Sequence, residues 1–117
     1  MNDYVVLLRA NGEIEYPSFG SGFESLRKHV EYQWFEVIKR GKAVNPDTGA
    51  EVPSVILGDE EGLMNTPAAI NWAASKVVGA PIVGDVFICG TTKYDLRGFT
   101  EEELSTVRGA TINSTLE

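Results

Sequence analysis

Ile82–Gly90 reads IVGDVFICG, the most apolar and β-branched run in the chain, and Gly79-Ala80-Pro81 breaks the chain just before it. Branched and aromatic side chains suit a pleated, packed surface, so the run is read as a central strand. Alternate residues of a strand share a face. Ile82, Gly84, Val86 and Ile88 then form an apolar face that a helix can cover. Val83, Asp85, Phe87 and Cys89 form a mixed face, expected to be only partly buried. Gly84-Asp85 marks either a bulge or the true start of the strand.

Upstream of this strand, Thr66-Pro67 has the form of a helix start, with Thr as N-cap and Pro at the first helical position. The helix is read through AAINWAASKVV (68–78), with Ile70, Ala73, Ala74 and Val77 on one stripe and Trp72 off it. Gly79 supplies the stop. Downstream, TTKYDLRG (91–98) reads as a loop. Thr100 and Glu103 then have capping-box spacing, in which each satisfies an exposed backbone N–H of the other. Glu101, Glu102 and Glu103 fill the first turn, where the helix dipole favours negative charge. Leu104 and Val107 can dock, and Gly109 is read as the end of the helix.

The first half supplies the remaining strands. Tyr4–Arg9 (YVVLLR) and Glu13–Tyr16 flank Asn11-Gly12, a strong hairpin signal because both residues tolerate positive φ. Ile14 and Tyr16 are expected to face the core. Ser21 and Glu24 repeat the capping-box spacing, and Phe23, Leu26 and Val30 share one helical face. Tyr32–Arg40 (YQWFEVIKR) is a strand with imperfect alternation. Gln33, Phe35, Val37 and Lys39 share one face, and Tyr32, Trp34, Glu36 and Ile38 the other. Either both faces are partly covered or a bulge switches the phase. Asn45–Gly49 is a turn, and Val52–Leu57 is a strand whose Pro53 suits an edge or a position outside the ladder. Asp59–Gly62 is another turn. The order is β-β-α-β-β-α-β-α: an α+β fold with an antiparallel or mixed sheet of about five strands and two to three helices, mainly on one side. Residues 1–108 form one compact domain, and 109–117 a C-terminal tail.

Length and charge remove several function classes. The chain has 117 residues, 43% of them hydrophobic and 23% charged, which is one ordinary globular domain. No apolar run approaches a membrane span, and the N-terminus has no basic leader of the secretory type. The single cysteine, Cys89, can form no internal disulfide, so the cytoplasm is the expected compartment. Residues 1–46 balance six basic against six acidic side chains, whereas residues 47–117 carry four basic and eleven acidic, which accounts for the whole net charge of −7. Phosphate backbones are bound by clustered Lys and Arg, so direct nucleic-acid binding is not expected.

Candidate chemistry is sparse. His29 is the only histidine, and a zinc site would have to be built from carboxylates. Asp59, Glu60, Glu61 and Asp85 lack the spacing of a calcium loop. Gly20-Ser21-Gly22 before a helix lacks the Lys of a phosphate loop. No catalytic residue, metal site or cofactor is therefore assigned. Tyr32, Trp34 and Trp72 can supply a stacking surface, framed by Arg27, Lys28 and Lys39, for a nucleotide-type ligand. Asp59, Glu60, Glu61, Glu101, Glu102 and Glu103 can face a basic partner protein.

Five blocks carry a resemblance: Phe35-Glu36-Val37-Ile38, Asp59–Gly62, Met64–Ala69, Ile82–Gly90 and Phe99–Leu104. In this order the chain resembles, over about residues 24–107, a family of small domains of unknown function found in bacteriophages, plasmids and bacteria. Where family members often carry Asn-Arg after the proline, Ala68-Ala69 follow Pro67 here, so nothing attached to that pair is carried over. The resemblance implies a mobile-element origin and no established activity. The expectation is a non-enzymatic phage or mobile-element accessory protein that binds, and thereby inhibits, a host or defence protein in the host cytoplasm. The alternative is a small-ligand binder. An exposed edge strand would also let two copies pair as a homodimer.

Overall fold

The computed structural model describes residues 3–20, 22–30, 35–45, 47–59, 70–92 and 95–113. The chain is α+β; the described residues form a six-stranded antiparallel sheet and three helices. Its elements are β1 (Val6–Leu8), β2 (Ile14–Glu15), α1 (Phe23–Arg27), β3 (Phe35–Val44), β4 (Glu51–Asp59), α2 (Trp72–Val78), β5 (Val86–Thr91), β6 (Leu96–Arg97) and α3 (Glu101–Asn113). The expected order holds, with one strand added. Leu96-Arg97, read from sequence within a loop, returns as β6 and pairs with Gly90 and Thr91 of β5.

The sheet order is β2-β1-β5-β4-β3, so the apolar run is the central strand. On one edge β5 pairs with β1, Val6 opposite Ile88 and Leu8 opposite Val86. On the other it pairs with β4, Ser54 opposite Gly90 and Leu57 opposite Phe87. Since β4 already occupies that edge at Gly90, β6 continues the β1 side. Tyr4 extends that line by bridging both Phe99 and Ser18. The Asn11-Gly12 turn closes β1 on β2 as its residue types require, with Leu8 opposite Ile14. Ile14 nevertheless remains 39% exposed, because β2 is the outermost strand of this order.

Both faces of β5 are buried. Val86, Phe87, Ile88 and Cys89 are all at most 1% exposed. The even face, Val86 and Ile88, packs with Val6, Leu8 and Ile56 under Ala74 and Val77 of α2 and Val107 of α3. The odd face, Phe87 and Cys89, packs with Val5, Leu7, Val55 and Leu57 under Leu26 of α1. Phe35 adds its ring to Phe87, with centroids 5.9 Å apart. Within β5 this corrects the expectation of a mixed, partly buried face, which holds only for Val83 and Asp85 before the strand begins. Two helices cover one side, and α1 with Phe19, Val30 and Phe35 seals the other. Each large side chain removed from water contributes roughly 1.5–3 kcal/mol. A continuous apolar run is what a strand buried on both faces needs.

The imperfect alternation of β3 is a bulge. Its register against β4 shifts between Val37 and Lys39: Val37 lies opposite Leu57 and Lys39 opposite Ile56. Val37 packs with the α1-side core, whereas Ile38 packs with the α2/α3-side core. Lys39 follows Ile38 onto that second face, where its Nζ donates to the carbonyl of Val77 at 3.2 Å. The simple face assignment therefore holds only up to the bulge. Gly58 permits the arrangement, since a Cβ there would lie 2.3 Å from Ile38 Cδ1. Pro53 lies within β4, opposite Lys42, inside the ladder to β3.

Helix α2 begins later than its apolar spacing suggests. Asn71, not helical (φ −95°, ψ 97°), is its N-cap. Ile70 is extended and bridges Val83 instead of joining the helical stripe. An Asn side chain competes with the backbone for local hydrogen bonds and so favours a cap over a helix interior. Gly79 closes the helix in the left-handed conformation at φ 82°, as its residue type requires. Helix α3 opens with the expected capping box: Glu103 N–H donates to Thr100 Oγ1 at 3.2 Å, and Thr100 N–H to Glu103 Oε1 at 3.1 Å. It then continues through Gly109 to Asn113, past the end expected from the glycine. Helix α1 takes Gly22, not Ser21, as its N-cap, with no side-chain cap hydrogen bond; Ser21 itself and the Thr66-Pro67 start lie outside the described residues.

Candidate functional site

The residues grouped from sequence as a ligand site do not converge. Arg27 and Lys28 are exposed on α1 and at its C-terminal cap, over the Phe87 side of the sheet. Lys39 and Trp72 lie on the opposite side, with α2. Even these two are apart, since Lys39 binds the last turn of α2 and Trp72 is its first residue. A cationic side chain at a helix C-terminus is favoured by the helix dipole, which explains Lys39 without a ligand. Tyr32 and Trp34 lie outside the described residues.

The acidic residues are also separated. Asp59 ends β4 at the edge where Val86 begins β5, opposite Phe35. Helix α3 begins at the other end of the sheet, after Phe99 has bridged Tyr4. Glu101 and Glu102 are exposed there. Glu103 is not available in the same way. Arg97 grips both its carboxylate oxygens at 2.6 Å, and this pairing, with Thr100, holds the carboxyl below its ordinary range. Glu60 and Glu61 lie outside the described residues.

Cys89 is fully buried, and burial alone pushes its thiol up to about 12. A thiol held protonated in the core is a small hydrophobe, not a nucleophile. His29 is half-buried, and its carbonyl accepts a 2.5 Å hydrogen bond from Arg9. Among the described residues, no three His, Cys, Asp or Glu side chains gather where they could hold a metal ion. No helix among them is long and apolar enough to cross a membrane.

Two surface features emerge that sequence spacing did not group. The first is Trp72 itself, 72% exposed, with Ile70 beside it in sequence at 42%. Their backbone is tightly held by Asn71 between them, which is fully buried. Its Nδ2 donates to the carbonyls of Leu8 and Gly84, both at 2.8 Å, and its Oδ1 accepts from Ala74 N–H at 3.0 Å. Asn71 N–H also donates to the Ile82 carbonyl. Clamping one residue to β1, to the β5 approach and to α2 fixes where its two apolar neighbours project.

The second is a cleft of about 360 Å³ between α3 and the start of the sheet, lined by Tyr4, Tyr16, Glu101, Leu104, Ser105 and Arg108. Both tyrosines are half-buried. Tyr4 is set by paired backbone hydrogen bonds with Phe99, and Tyr16 precedes Pro17, whose carbonyl accepts from Val5 N–H. The Arg108 guanidinium lies over the Tyr16 ring, 5.0 Å from its centroid. The sequence placed Tyr16 in the core and assigned no binding role to Arg108. The spacing of Glu101, Leu104, Ser105 and Arg108 on one helix was the available signal. Their meeting with Tyr4 and Tyr16 depends on tertiary packing.

In comparisons with family models, with curated proteins and with solved structures, this chain matches none.

Proposed function

We propose that this chain is a non-enzymatic binding protein whose target is another protein, with Trp72 and Ile70 at the centre of the contact. The observation that carries the reading is a tryptophan left 72% exposed on a backbone clamped by a buried asparagine. Single exposed aliphatic residues are ordinary on any surface. A rigidly presented tryptophan is different, because large aromatics placed in a partner's pocket dominate interface energies, each commonly worth about 2 kcal/mol or more. Holding it in place beforehand lowers the ordering cost of association.

The net charge of −7 supports a partner with a basic surface, since long-range attraction raises the encounter rate. Glu101 and Glu102 contribute to that field from the exposed first turn of α3. The sequence blocks that resemble small phage and plasmid domains support the setting: an accessory protein of a mobile element, acting on a host or defence protein in the host cytoplasm. The buried thiol supports a role in binding over one in covalent catalysis.

The test is affinity purification from bacterial lysate with wild type, Trp72→Ala and Glu101→Lys/Glu102→Lys chains, at low and high salt. The expected result is one partner captured by wild type and lost with Trp72→Ala. Its recovery should be reduced by charge reversal or salt. Equal recovery by wild type and Trp72→Ala overturns the assignment of the contact.

A further inference from the structure

The cleft beside α3 has charges of opposite sign at its two ends. Glu101 and Arg108 are seven residues apart on one helix, which at 1.5 Å per residue separates them by about 10 Å along the axis. Leu104 and Ser105 lie between them on the helix and line the cleft together with Tyr4 and Tyr16. Among the described residues neither Glu101 nor Arg108 is engaged in an ion pair. Arg108 is nonetheless oriented. Its guanidinium lies over the Tyr16 ring at 5.0 Å, and this contact leaves in-plane N–H donors at its edge for a carboxylate.

We propose that this cleft binds a short zwitterionic peptide of about three residues. Its terminal ammonium lies at Glu101, its terminal carboxylate at Arg108, and an apolar or aromatic central side chain lies over Leu104 against the two tyrosines. An extended chain covers about 3.3–3.6 Å per residue, so three residues span the roughly 10 Å between the charges. The volume of about 360 Å³ is at the small end of ligand sites and suits such a molecule better than a protein segment of any length. A nucleotide fits the chemistry poorly, because its phosphates would share the cleft with the Glu101 carboxylate and meet one arginine. The site is distinct from the Trp72 surface and extends the proposed function by a second, small ligand.

The test uses the full chain and the probe Ala-Phe-Ala, with its N-acetylated and C-amidated forms, followed by amide chemical shifts and calorimetry. The free tripeptide is expected to shift Tyr4, Tyr16, Leu104 and Ser105. Capping either end should weaken binding about tenfold, the scale of one hydrogen bond to a charged group. In Glu101→Gln the penalty for N-acetylation should vanish, and in Arg108→Gln the penalty for C-amidation. Arg108→Lys, which keeps the charge and loses the planar fork, should retain part of the carboxylate preference. Both side chains are exposed, so the variants should unfold at the wild-type urea midpoint. Trp72→Ala should bind the peptide as wild type does, which separates this site from the partner surface. Absence of shifts at millimolar tripeptide, or equal affinity for capped and uncapped forms, overturns the proposal.

Discussion

Arg9 Nη1 donates to Asp85 Oδ2 at 2.9 Å, joining the end of β1 to the approach to β5 across 76 residues of sequence. Asp85 Oδ1 also accepts the backbone N–H of Ala10 at 2.7 Å. The same guanidinium reaches Glu15 on β2, Nε to Oε2 at 2.9 Å, and the carbonyl of His29 after α1. One side chain thus ties together the hairpin, the helix exit and the central strand. Asp85, considered from sequence for a cation site, is here the partner of an arginine. Arg9→Ala should lower stability by about 1.5–3 kcal/mol, the scale of hydrogen bonds to a charged group. In a double-mutant cycle, Arg9→Ala and Asp85→Ala should couple by about 1 kcal/mol. Urea unfolding midpoints of the four proteins check both figures, and strict additivity would remove the structural role of the pair.

Asn71 should be among the least replaceable polar residues. Its side chain makes three hydrogen bonds in a fully buried position. Asn71→Ala would strand the Ala74 N–H and two carbonyls, and should cost about 3 kcal/mol. Asn71→Asp retains the acceptor for Ala74 but cannot donate to Leu8 and Gly84, so it should also destabilise strongly. Thermal unfolding measures this. In a Trp34→Phe background, Trp72 emission in the folded state should be that of an exposed indole.

Acid should weaken the fold through two carboxyls. Glu103 is held below its ordinary value of 4.5 chiefly by its hydrogen bonds to Arg97. Glu15 is lowered likewise by its hydrogen bonds to Arg9. A carboxyl with a folded pKa below its unfolded one stabilises above the unfolded value. That contribution is lost as pH falls from about 4.5 through the lower folded values. Urea midpoints should therefore fall below this range, and Glu103→Gln should flatten part of the slope. The Arg97 pair also sets the first turn of α3, so the same variant should loosen amide protection at Thr100.

Cys89 should not react in the native protein. The thiol is 0% exposed and pushed up to about 12 by burial, so at neutral pH almost no thiolate forms and no reagent reaches it. Ellman's reagent should label it only at the rate of unfolding, and stoichiometrically in denaturant. Fast labelling in buffer would show that the α1 side of the sheet opens readily.

Much of the architecture was legible from local chemistry. Asn11-Gly12 announced a hairpin because both residues accept positive φ. IVGDVFICG announced the central strand because its branched and aromatic side chains suit a pleated, packed surface, although burial of both faces was not legible in it. Thr100 and Glu103 announced a helix start because their spacing closes two backbone bonds at once. Gly79 announced a helix end because it takes the left-handed conformation without a Cβ clash. These are short-range effects, and neighbours in sequence suffice to cause them.

The tertiary structure decided what no local pattern contains. The phase of β3 switches at Ile38 because Gly58, on another strand, leaves room for that side chain. Helix α2 starts at Trp72 because Asn71, besides capping Ala74 N–H, finds partners on β1 and before β5 that hold it out of the helix. Leu96-Arg97 becomes a strand because β5 extends past β1 and leaves an edge to pair. The same holds for function. Arg27 and Lys28 were near Tyr32 in sequence, yet the sheet stands between them and Trp72. Tyr4, Tyr16 and Arg108 are distant in sequence, yet they meet at one cleft. Residue types determined which elements form, because capping, turn geometry and burial act locally. Register and packing determined which side chains share a surface, because those contacts join residues that the sequence keeps far apart.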